Sequence, residues 1–266
     1  MKFAFIGAGK MASALMAGML AKPVCAAKDV IISSKGKERL QKLIASNGAT
    51  MASSNLEAVT EADVVLLCVK PKDAVEVLTE LNGTLKGKLL ISIVTGLTLS
   101  KMEELAGSNC RCIRVMPNTP VMVGAGASAY SAAANALVND IDTVKTIFGS
   151  LGIIVEVREE QMDAVTAVSG SGPAYVYLMI EALSDAGVSA GLSPDMAQQL
   201  AVQTVAGAAE MVLKTGQHPG PLREMVTSPG GTTAEALRVM ESRDFRGLIT
   251  EAVEAAARKA KELSKG

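Results

Sequence analysis

The sequence predicts an α/β fold in two parts, an N-terminal doubly wound sheet followed by an all-α C-terminal part. Three observations carry this prediction. Short apolar runs alternate with helical patterns as far as Arg158. The first of these alternations contains a glycine turn of defined spacing, and after Arg158 nothing further reads as a strand. The expected boundaries are therefore 1–158 for the sheet domain and 159–266 for the helical one.

The chain opens MKFAFIGAGKMASAL. Phe3 to Ile6 has the apolar character of a buried strand, and Gly7, Gly9 and Ala12 follow at the GxGxxG/A spacing with a helical pattern directly behind them. Gly7 allows the tight turn, Gly9 lets backbone approach a pyrophosphate, and Ala12 permits the helix to pack closely on the strand. The helix N-terminus then offers unpaired N–H groups and a positive dipole end to phosphates, which makes the segment a dinucleotide site of the Rossmann type. The alternative is a βα turn with no ligand.

Composition narrows the function. A chain of 266 residues buries roughly three quarters of its unfolded surface and is long enough for two modest domains. With 49% hydrophobic residues, 20% charged residues and a net charge of −1, it carries no nucleic-acid groove, polybasic membrane face or acidic tail. No apolar run reaches the ~18 residues of a membrane span, and the start reads as a strand, so the expected location is the cytoplasm and the partners are small molecules. Cys25, Cys68, Cys110 and Cys112 sit in or beside apolar segments and are expected to be buried free thiols. The single histidine, His218, leaves little from which to build a Ser-His-Asp triad or a metal site.

Behind the fingerprint a helix runs from Ala12 to Leu20 and a second strand from Val30 to Ser33. Asp29 lies twenty residues after Gly9, but it precedes the strand, whereas cofactor groups meet strand carboxyl ends. That end holds Ser33, Ser34 and Lys35. Hydroxyls and a cation in place of a carboxylate suit a 2′-phosphate and hence NADP. The alternative is that Lys35, Lys37 and Arg39 are the solvated start of the next helix. That helix spans Lys35 to Ser46 and ends at Asn47-Gly48, with a short strand from Ala49 to Ala52 and a Ser54 cap behind it. Val64 to Val69 is the strongest buried strand, halted by Lys70-Pro71. A helix from Asp73 to Leu81, a strand from Leu89 to Val94, a helix from Leu99 to Leu105 and a strand from Cys112 to Val115 continue the alternation. Met116-Pro117-Asn118-Thr119-Pro120 then fixes a rigid turn. Gly126 to Tyr130 and Ile153 to Val157 read as edge strands around a helix from Asn139 to Phe148.

Helical spacing fills the rest, over Gln161 to Val168, Pro173 to Ala186, Pro194 to Lys214, Pro221 to Val226, Thr232 to Ser242 and Phe245 to Leu263. Ser193-Pro194 is an N-cap with proline at the first helical position, and Thr232 with Glu235 fits a capping box. The helices from Gln161 to Lys214 are apolar on more than one face. They are expected to be covered by a second subunit, with deep burial inside one subunit as the alternative. Ser228-Pro229-Gly230-Gly231-Thr232-Thr233 runs into a helix start, where converging N–H groups and hydroxyls would seat a carboxylate. Ser169-Gly170-Ser171-Gly172-Pro173 interrupts the helical region where close packing or a ligand demands small residues. The residues by themselves thus point to a reductase for a small anionic substrate.

Over essentially its full length the chain resembles the pyrroline-5-carboxylate reductase family, the last enzymes of proline synthesis. The resemblance is carried by FIGAGKMASA, VKP at Val69 to Pro71, RVMPNTP at Arg114 to Pro120, DAVTAVSGSGPAY at Asp163 to Tyr175, and HPGPLREMVTSPGGTTAEAL at His218 to Leu237. It implies an N-terminal Rossmann domain for NADPH, with NADH as an alternative cofactor, and a helical domain forming an intertwined homodimer that can assemble further into rings. By that similarity Gly7, Ala8, Gly9, Lys10, Met11, Ser33, Ser34, Lys35, Asn55, Val69, Lys70 and Pro71 hold the cofactor, with Pro117 and Asn118 near the nicotinamide. The substrate lies across the dimer interface. Its carboxylate rests on the Gly231, Thr232 and Thr233 N–H groups, with Ser228 and Gly230 in the same loop, and the Thr233 hydroxyl bonds the ring nitrogen. Gly216 departs from relatives that carry a glutamate before Gln-His-Pro, and no role is assigned to it.

The implied chemistry, reduction of an imine by hydride, suits a chain with one histidine, because an imine takes its proton from solvent near neutral pH. β-Hydroxyacid dehydrogenases share the two-part plan but require a lysine four residues after the Gly-rich turn. Here Ala174, Tyr175, Val176 and Tyr177 follow Pro173, with no lysine before Lys214. A cofactor-binding regulator without catalysis would need no carboxylate seat.

Overall fold

Phe3–Ile6 forms β1, and the sheet grows outward from it in both directions. The structure, a computed structural model, describes residues 1–265, with the side chains of Lys37, Arg39 and Lys265 outside the described set. It divides into two units, Met1–Ser171 together with the end of the last helix from Ala256, and Gly172–Ala255.

In the first unit β1 is followed by α1 (Lys10–Ala21), β2 (Val30–Ser33), α2 (Lys37–Asn47), β3 (Thr50–Met51), α3 (Asn55–Thr60) and β4 (Val64–Leu67). Then come α4 (Pro71–Leu81), β5 (Leu89–Ser92), α5 (Leu99–Ala106), β6 (Arg111–Met116), β7 (Gly126–Ala132), α6 (Val138–Gly149) and β8 (Gly152–Glu156). The strand order is β3-β2-β1-β4-β5-β6-β7-β8, with the order reversing at β1. Every adjacent pair is parallel except β6 with β7.

Alternation along each strand divides the apolar side chains between two faces. Phe3, Phe5, Val64, Leu66, Leu89 and Ile91 join the cluster containing Leu15 and Met16 of α1, Leu40 of α2 and Phe148 of α6. Ala4, Ile6, Val65, Leu67 and Leu90 join the cluster containing Val59 of α3, Leu78 of α4 and Met102 of α5. The sheet is thus covered on both sides, which is the doubly wound arrangement. At ~1.5 to 3 kcal/mol for each fully buried large aliphatic side chain, these two layers supply the main driving force for the unit.

Local signals set the helix ends. The Ser54 hydroxyl accepts from the Glu57 N–H at 3.1 Å to open α3, and Thr98 does the same for α5 at 3.2 Å from Lys101 N. Gly48, with φ of 71°, stops α2 in a left-handed turn. Two sequence expectations need correction. β7 lies inside the sheet between β6 and β8, so only β8 is an edge there. Residues 166–170 form a π-helical turn that runs on from α7 (Met162–Val165), and α8 begins at Gly172, so the interruption expected over Ser169–Pro173 is confined to Ser171.

The second unit contains α8 (Gly172–Ser189), α9 (Pro194–Thr215), α10 (Pro219–Met225), α11 (Thr232–Ser242) and most of α12 (Phe245–Lys265). The Ser193 hydroxyl caps α9, accepting from Met196 N at 3.4 Å, and Pro194 sits in its first turn. No helix among the described residues is long and apolar enough to cross a membrane.

Tyr130 of β7 is fully buried and donates its hydroxyl to Glu156 Oε2 of β8 at 2.9 Å. Burial first, and then that carboxylate, raise its phenol from 10.0 to about 12. A folded-state value above the unfolded one favours the protonated form, so the contribution is complete below pH 10 and is lost as pH rises toward about 12. Stability should therefore fall by on the order of 2 kcal/mol more in the wild-type protein than in Tyr130→Phe across that window. Urea unfolding of both proteins at a series of alkaline pH values measures this, and parallel curves would refute it.

Candidate active site

Strand register builds the floor of the site. Ile6 pairs with Ser33 on one side and Leu67 on the other, so β1, β2 and β4 end at one level. Gly7 N–H continues the ladder to the Ser33 carbonyl at 2.8 Å, and Cys68 N–H to the Ile6 carbonyl at 2.8 Å. At this switch point, where open α/β sheets bind ligands, lies a cleft of about 420 Å³. Gly7 has φ of 107°, and a Cβ on it would stand 2.7 Å from the Cys68 carbonyl oxygen. A Cβ on Gly9 would have nothing within 4 Å, so the space above that backbone is open to a ligand. Gly9 is the N-cap of α1 with no side-chain cap bond and no acid in the first turn. The first N–H groups of α1 are thus free of an intrahelical acceptor, as a pyrophosphate requires. These features fit a dinucleotide.

Of the residues expected to hold the cofactor, Gly7, Ala8, Gly9, Ser33, Ser34, Lys35, Asn55, Val69 and Lys70 line this cleft. Lys10 and Met11 lie in the first turn of α1 and Pro71 opens α4, but their side chains do not line it. Lys37 and Arg39, weighed as solvated helix-start residues, lie outside the described side chains. At the ribose end the Ser33 hydroxyl donates to Asn55 Oδ1 at 2.8 Å, and Asn55 Nδ2 donates to Glu80 Oε2 at 3.0 Å. Lys35 Nζ lies 3.3 Å from Glu76 Oε1. Lys72, Asp73 and Val77 of α4 also line the cleft. Sequence reading missed the contribution of α4, because Glu76 and Glu80 reach the end of β2 only through the fold. Cys68 lines the cleft as well, and burial pushes its thiol well up, so it carries no thiolate at neutral pH.

The rigid turn after β6 does not line the cleft. Asn118 is buried, and its Oδ1 accepts from Ala127 N at 2.9 Å, which pins the start of β7. Pro117 stands beside it, between Met116 and the 3₁₀ turn Thr119–Val123. Met116 approaches the π-helical turn so closely that a Cβ on Gly170 would be 2.7 Å from its Cε. The neighbour at that small residue is thus the flexible end of a methionine side chain. The segment after β5 was overlooked. Thr95 and Gly96 share a second groove with Pro71 and Lys72, and Gly96, at φ of 82°, lies so near α12 that a Cβ would meet the Leu263 carbonyl oxygen at 2.8 Å. A glycine in the loop that follows a buried strand was the available signal.

In the second unit, Gly230 turns at φ of 71° and the Gly231 N–H donates to the Ser228 carbonyl at 3.0 Å. That donor is committed within the loop, which leaves the N–H groups of Thr232, Thr233 and Ala234 as the first turn of α11 without intrahelical acceptors. The capping box expected between Thr232 and Glu235 does not form. The N-cap is Gly231, without a side-chain cap bond, and Glu235 instead pairs with Arg238, whose guanidinium lies 2.6 Å away and holds the carboxyl below its usual range. The helix start is therefore open to an anion. Thr233 is half-buried, and its hydroxyl makes no hydrogen bond among the described residues. His218 Nδ1 accepts from Gly220 N at 3.1 Å and caps α10.

Comparisons agree with this two-part layout. Residues 159–263 match the family model for pyrroline-5-carboxylate reductase dimerisation, and residues 2–96 that for NADP oxidoreductase, coenzyme F420-dependent. The pyrroline-5-carboxylate reductase of Arabidopsis thaliana is 44% identical over 99% of this chain and 95% of its own length. The pyrroline carboxylate reductase of Plasmodium falciparum, solved with NADP bound, is 40% identical with a TM-score of 0.88, covering 99% of this chain and 98% of that one. The Coxiella burnetii pyrroline-5-carboxylate reductase superposes with a TM-score of 0.94 at 37% identity, over 100% of this chain and 99% of that chain. With such identity sustained across both parts of the sequence, the chain belongs to the pyrroline-5-carboxylate reductase family.

Proposed function

We infer that the protein reduces 1-pyrroline-5-carboxylate to L-proline, the last step of proline biosynthesis, using NADPH with NADH as a possible second donor. The observation that carries this is full-length family membership in a chain that retains both a dinucleotide cleft and an open, uncapped helix start. The bound nicotinamide supplies a hydride to the C=N carbon. The protein's own part is to hold and orient. Gly7, Gly9 and the start of α1 take the phosphates, Ser33, Ser34, Lys35 and Asn55 the adenosine end, and Val69 and Lys70 the wall between. Cofactor contacts by Lys10, Met11 and Pro71, and the placement of Pro117 and Asn118 near the nicotinamide, are carried by similarity. The N–H groups of Thr232 and Thr233 hold the substrate carboxylate, with Ser228 and Gly230 shaping the loop, and the Thr233 hydroxyl bonds the ring nitrogen.

We propose a functional division at residues 1–158 and 159–266, and a homodimer formed through the helical part, with rings of dimers as a higher state. The support is apolar surface: Tyr177, Leu178, Leu183, Leu200 and Leu213 are exposed on α8 and α9 of the single chain. Light scattering of dilute protein should find no folded monomer, and an active monomer would discard the dimer. The cytoplasm is the proposed site of action.

For the cofactor, Lys35→Glu should raise the KM for NADPH about tenfold, as loss of a charge-assisted contact predicts, with little change for NADH. Equal damage to both cofactors in steady-state assays would remove Lys35 from the 2′-phosphate. Thr233→Val keeps the backbone donors and the β-branched shape. Loss of a hydrogen bond of ~1 to 3 kcal/mol predicts a drop of about 5- to 150-fold in kcat/KM. Because Gly231 is the cap, the melting temperature should stay nearly unchanged. Kinetics and melting on one preparation test the assignment, and full activity would overturn it.

A further inference from the structure

Two polar groups at the adenosine end of the cleft, Lys35 and Asn55, are engaged by one helix, α4. Lys35 Nζ is 3.3 and 3.5 Å from the two oxygens of Glu76, and Asn55, whose Oδ1 takes the Ser33 hydroxyl, gives its Nδ2 to Glu80 at 3.0 Å. Glu76 and Glu80 stand one turn apart on α4 and face the same rim. The end of β2 thus lacks the carboxylate that would favour a free ribose hydroxyl, yet two carboxylates reach that end from elsewhere in the chain.

We propose that Glu76 is a cofactor-specificity residue that moderates the preference for NADPH by competing with the 2′-phosphate for Lys35. The inference rests on the NADP reading above. A 2′-phosphate carries close to two negative charges at neutral pH. To reach Lys35 it displaces the Glu76 carboxylate and then sits beside that carboxylate and Glu80. A free 2′-hydroxyl displaces nothing and meets no repulsion. Both partners of the ion pair are 71% exposed, so solvent screens the competition and the effect is severalfold. The same exposure means that removing the charge leaves the core untouched.

Isothermal titration of the purified full-length protein with adenosine 2′,5′-bisphosphate and adenosine 5′-monophosphate measures this without catalysis. Glu76→Gln should tighten the bisphosphate about three- to tenfold, change the monophosphate less than twofold, and lose most of that gain in high salt. No change for the bisphosphate, or equal tightening of both nucleotides, would overturn the role of Glu76. Lys35→Gln separates this failure from failure of the parent reading. If the wild-type protein binds the two nucleotides equally and Lys35→Gln leaves both unchanged, Lys35 holds no 2′-phosphate and both assignments fall.

Discussion

Gly7 has no room for a side chain. A Cβ there would be 2.7 Å from the Cys68 carbonyl oxygen and 3.2 Å from Val69 N, backbone atoms that cannot swing aside. The rest of the cofactor half depends on this approach. It lets the chain leaving β1 lie against the chain leaving β4, so that the Cys68 N–H closes onto the Ile6 carbonyl at 2.8 Å. The turn then delivers Gly9 as the cap of α1, and the opposite exit delivers Lys70-Pro71 as the start of α4. Any displacement of that exit would move α4, and with it Glu76 and Glu80, away from the end of β2. The phosphate and ribose roles proposed for these groups thus depend on one missing side chain.

The sheet can hold such a tight contact because it is buried on both faces. Ala4 and Phe5 are 0% exposed although adjacent and oppositely directed. Packing from α1, α2 and α6 on one side and α3, α4 and α5 on the other fixes the strands. The exits of β1, β2 and β4 therefore have little freedom to splay, and an interior at crystal-like density passes a displacement on instead of absorbing it. Rigidity of this kind is what a hydride donor and acceptor need, since small misplacements of reacting atoms cost large factors in rate.

How far the sequence revealed this arrangement depends on the range of each interaction. The glycine spacing, the VVLL strand and the Ser54 and Ser193 caps are local, and each was legible. The position of β7 was not. Its GASAYSA sequence is small and mixed, and only its pairing with β6 on one side and β8 on the other shows that it lies inside the sheet. Thr232 and Glu235 have the spacing of a capping box, but Arg238, three residues further on, takes the carboxylate instead. Gly170 reads as a site of close packing or of a ligand, and only the fold shows Met116 as its neighbour. The partners of Lys35 and Asn55 lie 41 and 25 residues away, so no local pattern could name them. The cofactor half of the site was legible as a glycine motif and a cleft position, while the electrostatics of its rim belong to tertiary structure.

The chemistry at the other half follows from what the chain withholds. A carbonyl reductase must protonate a developing alkoxide and generally needs a strong acid group in place. Here the one imidazole caps α10 through Nδ1, which accepts a backbone N–H. The Cys68 thiol is held protonated by burial at the floor of the cofactor cleft. What stands open on α11 is a set of backbone N–H groups beside the Thr233 hydroxyl. Donors of this kind bind a carboxylate and steady a nitrogen gaining electron density, but they give up no proton to bulk chemistry. They suit an acceptor that arrives already activated, as a protonated imine does, and they suit an alkoxide-forming reaction poorly. Backbone donors at a helix start and a hydroxyl thus match the demands of the proposed C=N reduction better than those of a carbonyl.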